Sequence, residues 1–137
     1  SIPGVTDERL NTIYNATDVG INTGIGEGWG LVNWEHAAAG KLQILPDHSA
    51  LTEIWKDRAI LVPTVMPQMI ERVNTVGRVV SIDGMVRALN WAYDDWKNNS
   101  GKELDALAQK GYELTQQKRF KWSSIAAQFD AVFSEVL

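Results

Sequence analysis

A short run rich in β-branched residues leads directly into a glycine-broken loop and then into a helical pattern. The run covers residues 19–23, and the loop has a glycine at every second position from Gly24 to Gly30. Apolar and small residues at helical spacing follow over about residues 31–39 and stop at Gly40. A strand that turns through a glycine loop into a helix is the repeating unit of a sheet with parallel strands. This unit limits the chain to an α/β fold more strongly than any other feature.

Predicted strands and helices continue to alternate on both sides of this unit. Helices are predicted over about residues 7–16, with Thr6 as the cap, and over 49–56. Further strands are predicted at residues 42–45, 59–62 and 78–82, and residues 63–76 are expected to form a long loop or a short helix. The alternation predicts a Rossmann-like parallel sheet of about four strands, flanked by helices on both faces.

The C-terminal part of the chain is predicted to be helical. Ser100 and Glu103 have the spacing of a capping box at a helix start. Two apolar stripes flank it, one formed by Met85, Leu89, Ala92 and Trp96 and the other by Ile125, Phe129, Val132 and Val136. Without an internal repeat or a low-complexity tract, residues 1–137 are interpreted as a single domain.

Composition excludes several classes of function. The formal net charge of −4 argues against a nucleic-acid-binding protein, which needs a basic surface. A count of zero cysteines excludes disulfides and thiolate chemistry, and is compatible with a cytoplasmic location. No apolar run approaches the ~20 residues that span a bilayer. The two histidines have no spacing typical of a zinc site, so no metal is expected.

The loop and the helix start combine the groups that an anionic, hydroxyl-bearing ligand needs. Backbone N–H groups near Gly30, Leu31 and Val32 are expected to face an anion at the positive end of the helix. The carboxylates of Glu27 and Glu35 can accept hydrogen bonds from hydroxyls beside it. A nucleotide sugar offers both phosphate and diol. The alternatives are a tight strand-to-helix turn at the glycines and ordinary surface roles for both carboxylates.

The two carboxylates also carry a family resemblance. Glu27 and Glu35 are separated by seven residues, as in the signature of the retaining GT-B glycosyltransferases of family 4, which the chain resembles. The resemblance extends to segments on both sides of the signature, namely residues 4–10, 14–19, 37–45, 49–54 and 120–126. Residues 63–76 have no obvious counterpart, and the glycine pair that is usual in the family is absent from the segment that matches residues 49–54.

The resemblance implies a role for each residue of the site. Glu27 is expected to contact the transferred sugar and to act in catalysis, while Glu35 is expected to bind the ribose diol. Gly28 and Gly30 are expected to let the backbone approach the donor diphosphate. Trp29 is expected either to pack under the sugar or to fill the core. The donor is then a substrate, and no cofactor is expected.

The resemblance also implies that the chain is the C-terminal half of a GT-B fold. It has no initiator Met and opens on Ser1-Ile-Pro-Gly, which suggests a fragment. The N-terminal GT-B domain, which carries most of the acceptor pocket in the family, is then a missing partner. The family's cationic pair for the leaving diphosphate would also lie before Ile2. We therefore expect the isolated chain to be inactive in transfer, and the acceptor is unknown.

Two alternatives stay open at this point. A Rossmann-like domain could bind a nucleotide or serve as a scaffold without catalysing transfer. A dinucleotide fingerprint fits less well, because Trp29 stands where its third glycine is required.

Near the C-terminus, Lys118, Arg119 and Lys121 adjoin Trp122 and form either a solvated surface or a contact with a membrane surface or an acceptor. The predicted location is cytoplasmic, with membrane association left open.

Overall fold

A computed structural model describes residues 4–71 and 74–136 as an α/β chain. The first half contains α1 (Asp7–Asn15), β1 (Val19–Ile21), α2 (Leu31–Ala38), β2 (Leu42–Pro46), α3 (Ser49–Trp55) and β3 (Ile60–Val62). The second half contains β4 (Thr64–Ile70), β5 (Thr75–Val80), α4 (Ile82–Asn99), α5 (Lys102–Thr115), a 3₁₀ turn (Lys118–Phe120) and α6 (Trp122–Val136). Thr6 caps α1 as predicted, since its side chain accepts a hydrogen bond from the Arg9 amide.

Three strands form a parallel sheet in the order β1-β2-β3. Gly20 pairs with Gln43, and Ile44 pairs with both Ile21 and Ile60. All five residues of the central strand β2 are buried. Leu45 packs with α2 and α3 in one cluster, while Ile44 packs with α4 in another. The predicted α/β class, with a parallel sheet flanked by helices, is confirmed.

The prediction of a long loop or short helix for residues 63–76 is wrong, because β4 and β5 form an antiparallel hairpin there. The strand predicted at residues 78–82 overlaps β5, but it pairs with β4 and does not join the parallel sheet. Pro67 lies within β4, opposite Arg78, because a two-stranded ribbon leaves half of its backbone groups unpaired and tolerates proline there. Asn74, next to the start of β5, has a positive φ of 49°. The parallel sheet therefore has three strands, and the hairpin extends from its last one.

The predicted capping box before α5 is also wrong. Ser100 ends α4 in a left-handed conformation, and Gly101, also left-handed, precedes α5. A capping serine must instead be extended. The carboxylate of Asp95 on α4 takes over the role, because its Oδ2 accepts hydrogen bonds from the amides of Glu103 (3.0 Å) and Leu104 (2.9 Å). One helix thus caps the next.

The two C-terminal apolar stripes have different environments. On α4, Met85 and Ala92 are buried, whereas Trp96 is 60% exposed. On α6 no residue is buried, and Phe129 and Val136 are exposed. Within residues 4–71 and 74–136, every helix is too short or too polar to cross a membrane.

Candidate functional site

The glycine loop lies beyond the carboxyl end of β1, as predicted for Glu27. Strand β1 ends at Ile21, and α2 begins at Leu31. In sheets of parallel strands, ligands bind in crevices outside the carboxyl ends of the strands. The fold therefore places the loop where a ligand site is expected.

Helix α2 begins without a side-chain cap. Gly30 occupies the capping position at a φ of 80°, which favours glycine, and has no side chain to offer. The first intrahelical bond runs from the Trp34 amide to the Gly30 carbonyl at 3.0 Å. Within the described part of the chain, the amides of Leu31, Val32 and Asn33 donate to no acceptor. The positive end of α2 thus offers free N–H groups.

The side chains around this helix start are largely apolar. Leu31 and Val32 are both exposed. Trp29 packs in an aromatic cluster, with its ring 5.1 Å from that of Trp34 and 5.5 Å from that of Phe120. The contacts of Trp29 thus fit the packing alternative, and a contact with a sugar stays a prediction.

Glu27 is held at both its backbone and its carboxylate. Its amide donates to Ser49 Oγ at 3.3 Å, and the same hydroxyl donates to the Glu27 carbonyl at 3.1 Å. Its Oε1 accepts a hydrogen bond from Asn22 Nδ2 at 3.2 Å. The side chain is half-buried. Ser49 of α3 thus fixes the backbone of Glu27, and Asn22, just after β1, holds its carboxylate.

The β4–β5 hairpin supports the loop just before Glu27. The Arg78 amide donates to the Ile25 carbonyl at 2.8 Å. A Cβ at Gly77 would overlap that same carbonyl, so only glycine allows this approach. The guanidinium of Arg78 is engaged with Thr64 Oγ1 at 2.8 Å.

Glu35 lies on α2 and contacts α1. Its Oε2 accepts a hydrogen bond from the Tyr14 hydroxyl at 2.9 Å. Burial, followed by the hydrogen bond and the charge of Glu35, raises the pKa of Tyr14 to about 12, so the hydroxyl stays protonated. Oε1 of Glu35 accepts no hydrogen bond from residues 4–71 or 74–136 and is free for a ligand. Among these residues, no side chain forms hydrogen bonds with both Glu27 and Glu35.

A chain of polar side chains, buried at Asn33, Gln43 and His36, leads away from Glu27, and sequence reasoning missed it. Asn22 contacts Asn33 (2.8 Å), Asn33 contacts Gln43 (3.2 Å), and Gln43 contacts His36 (3.2 Å). The chain of hydrogen bonds ends at Thr17, whose Oγ1 lies 2.8 Å from His36 Nε2. One signal in the sequence pointed to it. Gly20 interrupts a β-branched run, and glycine inside a strand marks a close approach.

Gly20 makes room for this chain. A Cβ there would overlap His36 Nδ1 and the amide of Gln43. Burial, together with the charge of Lys41, lowers the pKa of His36, while a hydrogen bond to the Tyr14 carbonyl opposes the shift. His36 is therefore neutral at physiological pH.

The site offers free amides and two carboxylates. Within residues 4–71 and 74–136, no Lys or Arg side chain forms a hydrogen bond with Glu27 or Glu35. In the same part of the chain, no three His, Asp or Glu side chains lie close enough together to bind a metal ion. The groups suit an anion at the amides and hydroxyls at the carboxylates.

No model of a known protein family matches the chain, and no curated protein matches it. Function is therefore inferred from the residues of the site.

Proposed function

We propose that this chain supplies the donor-binding site of a retaining GT-B glycosyltransferase. One observation carries the proposal: free amides at the start of α2 directly follow a fixed carboxylate, Glu27, at the carboxyl edge of a parallel sheet. The spacing of Glu27 and Glu35, which resembles the family 4 signature, supports the same conclusion.

The donor diphosphate binds at the start of α2. The amides of Leu31 and Val32, both exposed residues, donate to its oxygens, and the helix dipole favours its negative charge. Gly28 has open space at its missing Cβ, so the loop backbone is accessible from that side. The diphosphate thereby fixes the position of the sugar and of the nucleoside on either side of it.

Glu35 binds the ribose. Its free Oε1 accepts from a ribose hydroxyl while the Tyr14 hydroxyl holds Oε2. The carboxylate is exposed on α2, so a ligand can reach it. In this arrangement Tyr14 orients Glu35 without itself contacting the donor.

Glu27 acts on the transferred sugar. Its carboxylate accepts from sugar hydroxyls and stabilises the positive charge that develops at the anomeric carbon as the diphosphate leaves. The leaving diphosphate also needs positive charge, and the amides of α2 supply only part of it. The remaining cation and the acceptor pocket belong to another part of the enzyme, which we assign to an N-terminal GT-B domain.

A second function is favoured by one observation. Arg78, whose amide contacts the loop at Ile25, directs its guanidinium to Thr64 Oγ1. A domain with this site binds a nucleotide but does not by itself complete transfer. Nucleotide binding without transfer is the competing function, and catalysis by the whole enzyme distinguishes the two.

The test compares a nucleoside diphosphate with its sugar conjugate by calorimetry. UDP-, GDP- and ADP-sugars are each titrated into the wild-type chain, Glu27→Gln, and the control Glu53→Gln, which changes an exposed carboxylate on α3. The sugar should strengthen binding in the wild type and the control but not in Glu27→Gln. No binding of any of these nucleotides at millimolar concentration would refute the proposal. Transfer with inversion by the whole enzyme would refute the retaining assignment.

A further inference from the structure

Ser49, the first residue of α3, has a backbone conformation that is unusual for serine. Its φ is 54°, in the left-handed region, whereas His48 before it is extended. This region is unfavourable for residues with a Cβ, and glycine is the residue that most readily occupies it. Other residues remain there only where the surrounding contacts hold them, and they cluster at functional sites. Ser49 is therefore a strained residue that lies against the loop of the candidate site.

The hydroxyl of Ser49 does not serve its own helix. Serine is a preferred capping residue, because its oxygen can accept a hydrogen bond from an amide of the first helical turn. The capping position of α3 belongs instead to His48, whose side chain forms no capping hydrogen bond. Ser49 Oγ accepts from the amide of Glu27 at 3.3 Å and donates to the carbonyl of Glu27 at 3.1 Å. One hydroxyl thus satisfies both backbone polar groups of Glu27.

Helix α3 also contacts the loop at a second place, which does not involve this hydroxyl. Leu51 is buried, and its Cδ2 lies 3.0 Å from the position that a Cβ on Gly30 would occupy. That contact is apolar packing, so it persists when the hydroxyl of Ser49 is removed. Loss of the hydroxyl therefore releases the backbone of Glu27 while α3 stays packed beside the loop.

We propose that Ser49 is a positioning residue for Glu27, and that its strained backbone is retained because it directs the hydroxyl to Glu27. The effect on sugar binding rests on the proposed function, whereas the contact and the strain do not. Stability and sugar binding then favour different residues at position 49. Glycine relieves the strain but has no hydroxyl. Threonine keeps the hydroxyl but increases the strain, since β-branched residues are the least tolerant of a positive φ.

Three variants separate the strain from the hydroxyl. Ser49→Gly removes both, Ser49→Ala removes only the hydroxyl, and Ser49→Thr keeps the hydroxyl with more strain. In urea unfolding, the unfolding equilibrium constant of Ser49→Gly should be about fivefold smaller than that of Ser49→Ala, because alanine at a positive φ is destabilising. Ser49→Thr should be less stable than the wild type. Equal stability of Ser49→Gly and Ser49→Ala would refute the strain and overturn the proposal.

Amide hydrogen exchange tests the contact without any ligand. The amide of Glu27 should exchange about fivefold faster in Ser49→Gly and Ser49→Ala than in the wild type, because it loses its acceptor. In Ser49→Thr its exchange should stay at the wild-type rate. The amide of Trp34, which donates to the Gly30 carbonyl at 3.0 Å, is the internal control and should be unchanged in every variant. A Glu27 amide that exchanges at the wild-type rate without the hydroxyl would overturn the proposal.

Calorimetry then connects the contact to function. The ligands are the UDP-, GDP- or ADP-sugar that binds the wild-type chain and its nucleoside diphosphate. Ser49→Gly and Ser49→Ala should bind the nucleotide sugar about fivefold more weakly and the nucleoside diphosphate equally well. Ser49→Thr should bind both like the wild type, although it is less stable. A purely structural residue would instead rank sugar binding with stability, and that result would overturn the proposal.

Asp57→Gly is the matched control for relief of strain. Asp57 follows the other end of α3, is exposed and has a left-handed φ of 63°. Its replacement should raise stability without changing Glu27 exchange or sugar binding. A loss of sugar binding equal to that in Ser49→Gly would show that the hydroxyl is not responsible and overturn the proposal. Faster Glu27 exchange in Ser49→Ala, without binding of any nucleotide by the wild type, would refute the proposed function alone.

Discussion

Replacing Gly20 by alanine is the sharpest test of the buried polar chain. Gly20 lies in β1, and an added Cβ would overlap His36 Nδ1 and the Gln43 amide. Overpacking a buried position costs about 1–3 kcal/mol. A buried hydrogen bond left unmade between Gln43 and His36 adds about 1–3 kcal/mol. Alanine recovers about 0.5–1 kcal/mol, because glycine is unfavourable inside a strand.

The net expectation is that Gly20→Ala lowers the free energy of unfolding by about 1–5 kcal/mol. Urea unfolding measures it, with Gly28→Ala as the matched control, since a Cβ at Gly28 meets open space. The control should change stability by less than about 0.5 kcal/mol. Equal stability of the two variants would refute the close packing of β1 against His36 and Gln43.

Three further predictions test other parts of the account. Glu35→Gln should weaken nucleoside diphosphate binding at least about tenfold by calorimetry, and Tyr14→Phe by less; unchanged affinity would defeat the ribose assignment. Because folding lowers the pKa of His36, the unfolded state takes up the proton first, and the free energy of unfolding should fall as the pH drops below about 6.5. His36→Gln should flatten that dependence in urea unfolding, and an equally steep curve would contradict it. Asp95→Ala should cost about 1–2 kcal/mol, because two amides of α5 lose their acceptor, while the exposed neighbour Asp94→Ala should cost almost nothing; equal costs would exclude the cap.

The local signals in the sequence predict most of the helices and parallel strands. Thr6 marks the start of α1, and Gly40, at a φ of 77°, follows α2. The strands β1, β2 and β3 lie within or next to their predicted ranges. These features depend on neighbouring residues, which is why one sequence is enough to predict them.

The errors arise where tertiary contacts override local patterns. Strand β4, which contains Pro67, was not predicted. Proline disfavours a strand unless it lies on a free edge, and a sequence does not show where the free edges are. The capping box before α5 failed because Asp95, from another helix, occupies the position that Ser100 was expected to fill. Neither the hairpin register nor a cap from a neighbouring helix can be read from spacing alone.

The sequence predicts the loop, the helix start and the two glutamates of the candidate site, but not the side-chain amide that holds Glu27 in place. The glycine loop, the uncapped start of α2 and both glutamates follow from residues 24–36. The amide that holds Glu27 belongs to Asn22, just after β1, which contacts Asn33 of α2, and Asn33 in turn contacts Gln43 of β2. No local pattern links Asn22 to Gln43. The family assignment, the donor and the roles of the glutamates stay predictions.

The most direct test of the donor site is an amide-resolved NMR titration of this chain with UDP, GDP and ADP. At least one nucleotide should bind, and its largest shifts should fall on the backbone amides of Leu31 and Val32, with smaller ones near Glu35. The account is contradicted if none of the three perturbs these amides at saturating concentration, or if the largest shifts lie away from the start of α2.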